Sequence, residues 1–338
     1  MTSMQTMQAQ AVVATEPNRM AFQTIEQPEP AAADVVVRLR HSWISNGTEG
    51  SFVRGERIAG DTPRAASDPL PFPHVPGYQK VGVVEWVGAE VPGLQCGDAV
   101  FATVSRVAGM FYPYGGHVSP AITHHSQIWK LPHHVNPVAA SGLVLTQVGY
   151  NVGSRPPVQP GDAVVVIGDG LVGHWAAQTF QHRGARVLLV GRHDERLSRF
   201  TTKSGDRLVH AQREDALIAA REWAPQGVQA VADTAGSIAS IEALYPVLRR
   251  GGHIVSAGFY GPHGAIDIQR MRNLELALHA PAGWTTERMD ATLELLASGV
   301  LQTEHLITHR FAAAEASDAF ELILSRREPF LGVVLDWD

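Results

Sequence analysis

Cysteine is almost absent from this chain, in which Cys96 is the only one among 338 residues. A single thiol forms neither an intrachain disulfide nor a cysteine-rich zinc cluster, and a lack of disulfides is typical of a reducing compartment. Long apolar runs are also absent, because no window reaches the roughly 18 residues that would suggest a membrane span. Met1–Met20 lacks the apolar core of a signal peptide. We therefore expect a cytoplasmic protein with no membrane partner.

An excess of basic charge is also lacking. The 27 basic residues are outnumbered by 33 acidic ones, which gives a formal net charge of −6. Because nucleic-acid binding requires a concentrated basic stripe, we expect no nucleic-acid partner. The chain does contain 45% apolar and 18% charged residues, the balance of a globular protein, over a length that suits two domains.

The first 136 residues are predicted to be rich in β-strands. Short alternating or β-branched runs recur at Gln10–Ala14, Asp34–His41, Gln79–Val87, Ala99–Thr103 and His117–Thr123. Proline and glycine turns separate them, a pattern that favours a barrel-like domain. The stretch from Glu56 to Phe72 has no periodicity and is predicted to be a long surface loop.

After Asn136 the pattern changes to strands that alternate with helices. A helix is predicted over Pro137–Tyr150. Strands follow at Ala163–Ile167, Arg186–Val190, Arg207–Val209, Ala230–Asp233 and His253–Ala257, and helices near Leu171–Arg183, Glu195–Lys203, Glu214–Trp223, Ser237–Leu248 and Met289–Ser298. Strands separated by helices of this length imply right-handed crossovers and a doubly wound parallel sheet of the α/β class. The apolar strand Gly332–Leu335 need not belong to that sheet.

A glycine-rich turn follows the first of these strands. Gly168-Asp169-Gly170-Leu171-Val172-Gly173 has the G-x-G-x-x-G spacing between a strand and a helix. The first glycine permits the tight turn, the second lets a pyrophosphate approach the backbone, and the third lets the helix pack close to the strand. The helix N-terminus offers unpaired N–H groups to the phosphates. The segment therefore predicts a dinucleotide site.

The end of the second strand predicts which dinucleotide binds. A site for NAD usually places a carboxylate there for the ribose hydroxyls, whereas this chain has Gly191-Arg192-His193. Arg192 is expected to pair with the 2′-phosphate of NADP, assisted by His193 and Arg196. The alternative is that Arg192 is a solvated charge and Asp194 serves the ribose. NADP is favoured and NAD is the less favoured cofactor.

Two later strand ends are expected to border the nicotinamide ribose. Ligands of doubly wound sheets lie beyond the carboxyl ends of the strands. Thr234 follows one such strand, and Ala257, Gly258 and Phe259 follow another. Thr146, in the helix before the first Rossmann strand, is expected to face the nicotinamide.

Several motifs in order along the chain resemble those of the medium-chain dehydrogenase/reductase family. They are Asn46-Gly47-Thr48-Glu49, Val75-Pro76-Gly77-Tyr78-Gln79, Gly97-Asp98-Ala99-Val100, the glycine-rich turn, and Gly251-Gly252-His253-Ile254-Val255. The resemblance implies a GroES-like β-barrel catalytic domain over residues 1–136, to which residues 285–338 return. It also implies a Rossmann domain over residues 137–284, and a homodimer.

The chain departs from the zinc-dependent members of that family at their metal ligands. Asn46 stands in place of a cysteine, Tyr78 in place of a histidine, and Gly142 in place of a second cysteine. The four-cysteine structural zinc lobe has no counterpart. Because catalytic zinc needs such ligands, we expect no metal. The chain looks closest to the zinc-independent branch that contains 3-hydroxyethyl bacteriochlorophyllide a dehydrogenase.

Without zinc, side chains must polarise or protonate the substrate oxygen. Thr48 occupies the family position of the proton-relaying hydroxyl, and Tyr78 is expected to donate its phenol. Asn46 and Gln79 supply amide donors, and Glu49 is expected to orient Thr48 or accept its proton. The structural alternatives are that Tyr78 is a packing aromatic, Asn46 a turn residue and Glu49 half of an ion pair.

These observations predict an NADP(H)-dependent, metal-free oxidoreductase that interconverts an alcohol and a ketone or aldehyde. One alternative is NADPH-dependent reduction of the C=C bond of an enone or quinone, and another is a catalytically silent NADP-binding protein. The partner is expected to be a small apolar or aromatic molecule. The aromatic residues expected to line its site are Phe111, Tyr112 and Tyr114, with Trp43, Trp284 and Phe259.

Overall fold

The computed structural model describes residues 6–260 and 264–337 and divides into two compact units. The first unit comprises residues 1–144 and 303–338, and the second comprises residues 145–302. Among the described residues, no helix is long and apolar enough to cross a bilayer.

The elements follow one another along the chain in three stretches. The first contains β1 (Thr6–Glu16), β2 (Arg19–Pro28), β3 (Asp34–Ile44), α1 (Asn46–Val53), β4 (Arg57–Ala59), β5 (Thr62–Pro63), β6 (Lys80–Val87), β7 (Ala99–Ala102), β8 (Ser105–Arg106), β9 (Tyr114–Gly115), β10 (Val118–Ser119), β11 (Ala121–His124), β12 (Ile128–Lys130), α2 (Pro137–Ala140) and the start of α3 (Leu143–Ser154). The second contains β13 (Ala163–Ile167), α4 (Leu171–His182), β14 (Arg186–Gly191), α5 (Asp194–Leu197), β15 (Arg207–His210), α6 (Ala216–Trp223), β16 (Val228–Asp233), α7 (Ile238–Ala243), β17 (Leu248–Ser256), α8 (Ile268–Asn273), β18 (Ala277–His279) and α9 (Thr286–Ala297). The third contains β19 (Ile307–Ala312), α10 (Ala316–Ser325) and β20 (Gly332–Asp336).

The first unit is built on antiparallel sheets. Its larger sheet has the order β12-β7-β6-β3-β20-β19, with β11 also paired to β3, and a smaller sheet has the order β10-β1-β2. The C-terminal strand β20 runs antiparallel to β3 and parallel to β19. Buried side chains of β3, α10 and β20 form its core, including Val37, Leu39, Phe320 and Leu335. The C-terminal segment therefore adds two strands and a helix to this unit.

The second unit is a six-stranded parallel sheet with the order β15-β14-β13-β16-β17-β18. All five residues of β13 are buried. Alternate side chains contribute to two different core clusters, since Val165 and Ile167 belong to one and Val164 and Val166 to the other. Apolar packing on both faces is what a doubly wound parallel sheet requires. The predicted α/β fold class, with its Rossmann-like sheet and a separate antiparallel sheet domain, is confirmed.

Several elements differ from the expected ones. The sequence analysis missed β2 and α1, and the predicted loop Glu56–Phe72 contains the β4–β5 hairpin. The helix predicted over Ser237–Leu248 ends at Ala243, and Pro246, which has no N–H to donate, lies in the short 3-10 turn that follows. The helix predicted over Glu195–Lys203 ends at Leu197.

The limits of the units lie at 144/145 and 302/303, whereas the sequence suggested 136/137 and 284/285. Hydrogen bonds explain where the second limit falls. The Gln302 carbonyl accepts the Trp175 indole N–H at 3.1 Å, so this residue is held by α4. The next side chain along, Thr303, donates to the Ala139 carbonyl of α2 at 2.8 Å.

Candidate active site

Tyr78 lies in a hydrogen-bonded cluster with the start of α1. Its phenol is hydrogen-bonded to the side chains of Ser45 and Thr48. Burial, together with the negative charge of Glu49, raises the pKa of Tyr78 to about 12, although the two hydrogen bonds act in the opposite direction. The phenol therefore keeps its proton at neutral pH and is a hydrogen-bond donor. The structure brings Thr48 and Tyr78 together, as the expected chemistry requires.

Glu49 is part of a buried network next to this cluster. One carboxylate oxygen accepts the Ser45 backbone N–H at 2.8 Å, and the other lies 2.8 Å from His117 Nε2. On the other side of the ring, His117 Nδ1 lies 2.8 Å from Ser42 Oγ, which also accepts the Trp337 indole N–H at 2.8 Å. The sequence suggested that Glu49 orients Thr48. The carboxylate instead fixes Ser45 and His117.

One arrangement of protons gives every side chain of this network a partner. The indole of Trp337 only donates, so Ser42 Oγ accepts from it, and the Ser42 hydroxyl proton is then free to point at His117 Nδ1. The ring proton of His117 then lies on Nε2, where it faces Glu49. With this tautomer each of the four side chains has a suitable partner. The network stabilises the first turn of α1, which carries Thr48.

Asn46 and Gln79, the two expected amide donors, both donate to backbone carbonyls. Asn46 Nδ2 donates to the Leu331 carbonyl at 2.5 Å, while its Oδ1 is buried with no hydrogen-bond partner among the described residues. Gln79 is fully buried, and its Nε2 donates to the Trp43 carbonyl at 3.2 Å. Through this bond Gln79 braces β3.

The three positions that would hold zinc in related enzymes do not fit the metal. Asn46 and Tyr78 replace anionic or imidazole ligands by a neutral amide and a phenol whose pKa is raised. At Gly142 a Cβ would lie 2.8 Å from the Trp43 ring, so that indole leaves no room for a third side chain. Nor do the described residues include a cluster of three His, Cys, Asp or Glu side chains suited to a metal ion. Trp43, expected to line the substrate site, is fully buried against Gly142 and Gly332.

Three of the expected substrate aromatics, Phe111, Tyr112 and Tyr114, form a cluster of rings in the first unit. The ring centroid of Tyr112 lies 4.9 Å from that of Phe111 and 5.9 Å from that of Tyr114. Its phenol donates to the Ile58 carbonyl at 2.6 Å, which fixes the ring. Phe111 and Tyr114 keep exposed faces. These two residues present apolar ring surface, whereas Tyr112 holds the loop in place.

The glycine-rich turn has the geometry of a dinucleotide cradle. Gly168 adopts a φ of +117°, which favours glycine. A Cβ at Gly173 would collide with the Gly168 carbonyl oxygen, so the close approach of α4 to β13 needs a glycine there. At Gly170, the N-cap of α4, a Cβ would meet nothing within 4 Å. Packing therefore does not require this glycine, and the space beside it is open, as the predicted approach of a pyrophosphate needs. Leu171 and Val172 form the first turn of the helix.

Asp169, inside the same turn, reaches the end of β14. Its Oδ2 accepts the backbone N–H groups of Arg192 at 2.6 Å and His193 at 2.8 Å. Burial opposes ionisation, but these bonds and the His193 ring outweigh it and lower the pKa of Asp169. Gly191 makes this possible, since a Cβ there would lie 2.5 Å from the Asp169 Cβ. Arg196 lies 3.8 Å from the other carboxylate oxygen.

The remaining residues expected at the cofactor lie in the loops after β16 and β17 and in α3. The Thr234 hydroxyl donates to the Ile167 carbonyl at 2.9 Å, directly before the glycine turn. A Cβ at Gly258 would collide with the Gly236 backbone, so the loops after β16 and β17 touch there. Ala257 donates to the Asp233 carbonyl at 2.9 Å, while Phe259 is exposed. Thr146, in α3, is fully buried.

Sequence reasoning missed several residues that shape these sites. Asp169 occupies a variable position of the glycine motif, and His117 lies in a predicted strand as one of sixteen histidines. Ser45 was overlooked because it lies one residue before a recognised motif. The only signal for Asp169 was indirect, namely a strand end at Gly191 that carries no carboxylate.

Comparison with known proteins places these features in context. The zinc-binding dehydrogenase family profile matches residues 172–298. That stretch lies in the second unit and includes none of the positions 46, 78 and 142. The 2-desacetyl-2-hydroxyethyl bacteriochlorophyllide A dehydrogenase of Cereibacter sphaeroides is 28% identical, over 98% of this chain and 99% of its own length.

Two solved structures share the fold. An alcohol dehydrogenase of E. coli CFT073, RspB, complexed with NADH has a TM-score of 0.83 and 20% identity, over 97% of this chain and 99% of its own. A protein of Sinorhizobium meliloti bound to NADP has a TM-score of 0.82 and 19% identity, over 98% and 99%. At these identities the likeness shows the fold alone.

Proposed function

Since the chain belongs to the medium-chain dehydrogenase/reductase family, we propose that it is an NADP(H)-dependent, zinc-independent oxidoreductase. It interconverts an alcohol and a ketone or aldehyde by hydride transfer. The observation that carries this proposal is the Tyr78 phenol, which Ser45 and Thr48 hold where zinc-dependent relatives have a histidine ligand. The chain thus supplies a proton donor in place of a Lewis acid.

The bound dinucleotide supplies or accepts the hydride. The residues of this chain handle the proton that accompanies it. In ketone reduction the Tyr78 phenol donates to the carbonyl oxygen, and its hydrogen-bonded hydroxyl neighbours Thr48 and Ser45 are placed to return the proton. Because its pKa is raised, the phenol is protonated at neutral pH, which suits the donor role in the reduction direction. Glu49 and His117 position this cluster through Ser45 and do not touch the substrate.

The preference for NADP rests on Arg192. Its side chain is exposed and forms no ion pair with any described residue, so it is available to a 2′-phosphate. The alternative ribose acceptor, Asp194, is instead bound by the Arg213 guanidinium at 2.6 and 3.0 Å. Fluorescence titration with NADPH and NADH tests the preference. Tighter binding of NADH, or an Arg192→Gln variant with unchanged affinity for NADPH, would contradict it.

The substrate class is tested with a panel that contains secondary alcohols on aromatic rings, their ketones, enones and quinones. The related dehydrogenase of C. sphaeroides is named for a hydroxyethyl substrate, and Phe111 and Tyr114 present ring surface suited to an aromatic molecule. We expect turnover of the alcohol–ketone pairs. Turnover of enones alone would favour C=C reduction, and tight NADPH binding with no turnover at all would favour a silent binding protein.

The donor is tested with Tyr78→Phe and Thr48→Val. Loss of a general acid typically lowers kcat about 10²–10⁴-fold, and we expect a loss in that range for Tyr78→Phe. Tyr245→Phe is the matched control, because Tyr245 is a buried tyrosine of the second unit whose hydroxyl has no hydrogen-bond partner among the described residues. Full turnover of Tyr78→Phe would remove the proposed donor. In an enone reductase the Tyr78→Phe substitution would also leave kcat unchanged.

We also propose that the protein is a homodimer formed through the second unit. Among the described residues, no further strand pairs with the outer edge of β18, and Leu278 on that strand is exposed. Such an edge pairs readily with a second copy of itself. Sedimentation equilibrium tests this, with Leu278→Lys expected to shift the protein towards the monomer. A monomeric wild-type protein would contradict the proposal.

A further inference from the structure

The acidic residue of the dinucleotide site comes from the glycine turn instead of the strand end. Gly191 ends β14 without a side chain, and the space where its Cβ would lie is occupied by the Asp169 side chain, 2.5 Å away. The carboxylate of Asp169 thus lies at the end of the second strand of the sheet, where Rossmann sites distinguish NAD from NADP. We propose that Asp169 limits the preference of this chain for NADP, and that it does so by opposing the 2′-phosphate.

Two backbone amides at the end of β14, those of Arg192 and His193, bind Asp169. Successive N–H groups at a turn form a natural anion site, and those of Arg192 and His193 would suit a phosphate. Both instead donate to Asp169 Oδ2, at 2.6 and 2.8 Å, and the His193 ring approaches the same oxygen at 3.0 Å. The internal carboxylate therefore occupies the anion site, and a 2′-phosphate must rely on the Arg192 side chain.

Charge acts in the same direction. The Asp169 carboxylate is buried, with 8% of its side chain exposed, so solvent screens its repulsion of a nearby phosphate only weakly. Among the described residues its remaining oxygen, Oδ1, lies 3.2 Å from His193 Nδ1 and 3.8 Å from Arg196. That oxygen remains able to accept a ribose hydroxyl, the group that NAD presents and NADP has esterified. Selectivity is then a balance in which Arg192 favours NADP and Asp169 favours NAD.

This inference rests on the dinucleotide site of the proposed function, but its test does not depend on which cofactor the wild-type protein prefers. The variant is Asp169→Asn, which keeps the shape and an oxygen for the backbone N–H groups but removes the charge. The measurement is the ratio of the dissociation constants of NADH and NADPH, from fluorescence titration without substrate. Asp169→Ser, with a shorter neutral acceptor, is the second variant if the first does not fold.

Asp206→Asn is a matched control whose carboxylate contacts the other end of β14. The Asp206 carboxylate also accepts two backbone N–H groups, from Val187 at 2.8 Å and Lys203 at 2.7 Å. It lies at the beginning of β14, whereas Asp169 lies at its end. The control therefore loses a comparable carboxylate and should leave the ratio of the two dissociation constants unchanged.

We expect the ratio of the NADH to the NADPH dissociation constant to rise about tenfold in Asp169→Asn, mainly through tighter binding of NADPH. A ratio that stays within about twofold of wild type, or one that falls, would overturn the inference. If wild type prefers NADH and the ratio still rises, the NADP preference is wrong and the role of Asp169 stands. If the wild-type protein prefers NADPH and the ratio does not change in the variant, the NADP preference stands and the role of Asp169 is wrong.

Discussion

Replacing Glu49 by glutamine tests the buried network that supports the proposed donor. The substitution keeps the volume and removes one charge. In one orientation of the new glutamine, its amide oxygen accepts the Ser45 N–H, and its NH₂ group then faces the proton on His117 Nε2. In the flipped orientation the amide oxygen accepts from His117, and the NH₂ group faces the Ser45 N–H. Moving the ring proton to His117 Nδ1 leaves the Ser42 hydroxyl proton without its acceptor. Every arrangement therefore leaves one buried donor mispaired.

The expected loss of stability in Glu49→Gln follows from the one mispaired donor. One buried unsatisfied donor costs about 1–3 kcal/mol, and hydrogen bonds to an ionised group are stronger than neutral ones, so we expect a loss of about 2–3 kcal/mol of unfolding free energy. Urea unfolding measures it, with Glu85→Gln as the control. Glu85 forms a surface ion pair with Arg38, whose loss should cost less than about 1 kcal/mol. Equal unfolding free energies for the two variants would refute the proposed network.

Two further predictions concern buried positions of the first unit. Burial lowers the pKa of Lys80 from 10.5 to about 7, so between these values the unfolded chain binds more protons than the folded one and stability should rise with pH. Between pH 7 and pH 10 the contribution of Lys80 to this rise in unfolding free energy is roughly 3–5 kcal/mol, and Lys80→Met should abolish it. Urea unfolding near both pH values measures the rise, and an unchanged rise in the variant would contradict the burial argument. Gly142→Ala should cost about 1–3 kcal/mol because its Cβ would lie 2.8 Å from Trp43, whereas Gly47→Ala, whose Cβ meets nothing within 4 Å, should not destabilise the protein. Equal stability of the two alanine variants would refute the assigned packing.

Local patterns predicted the second unit well because its strands are buried on both faces. The boundaries of β13 are those read from the sequence, since a proline-glycine turn precedes five apolar residues and the glycine motif follows them. The helix α1 was missed because Gly47 and Gly50 give its sequence a low helix propensity. Its first turn is stabilised by the bond from the Ser45 N–H to the Glu49 carboxylate and by the contact of that carboxylate with His117.

The parts of the site that escaped prediction depend on contacts between residues distant in sequence. Glu49 and His117 are 68 positions apart, and Asp169 and Arg192 are 23 apart. No local periodicity reports such pairs. The replacement of zinc ligands could be recognised from aligned motifs, but the reason that Gly142 carries no side chain, the buried Trp43 indole, required the fold.

In the proposed mechanism Tyr78 and its hydroxyl neighbours act without a metal. The most direct measurement is turnover of a ketone with NADPH by protein dialysed exhaustively against a chelator, with the zinc content of the same sample determined by mass spectrometry. We predict full turnover with no stoichiometric zinc, and no gain when zinc is added back. Activity that disappears with chelation and returns with about one zinc per chain would contradict the account.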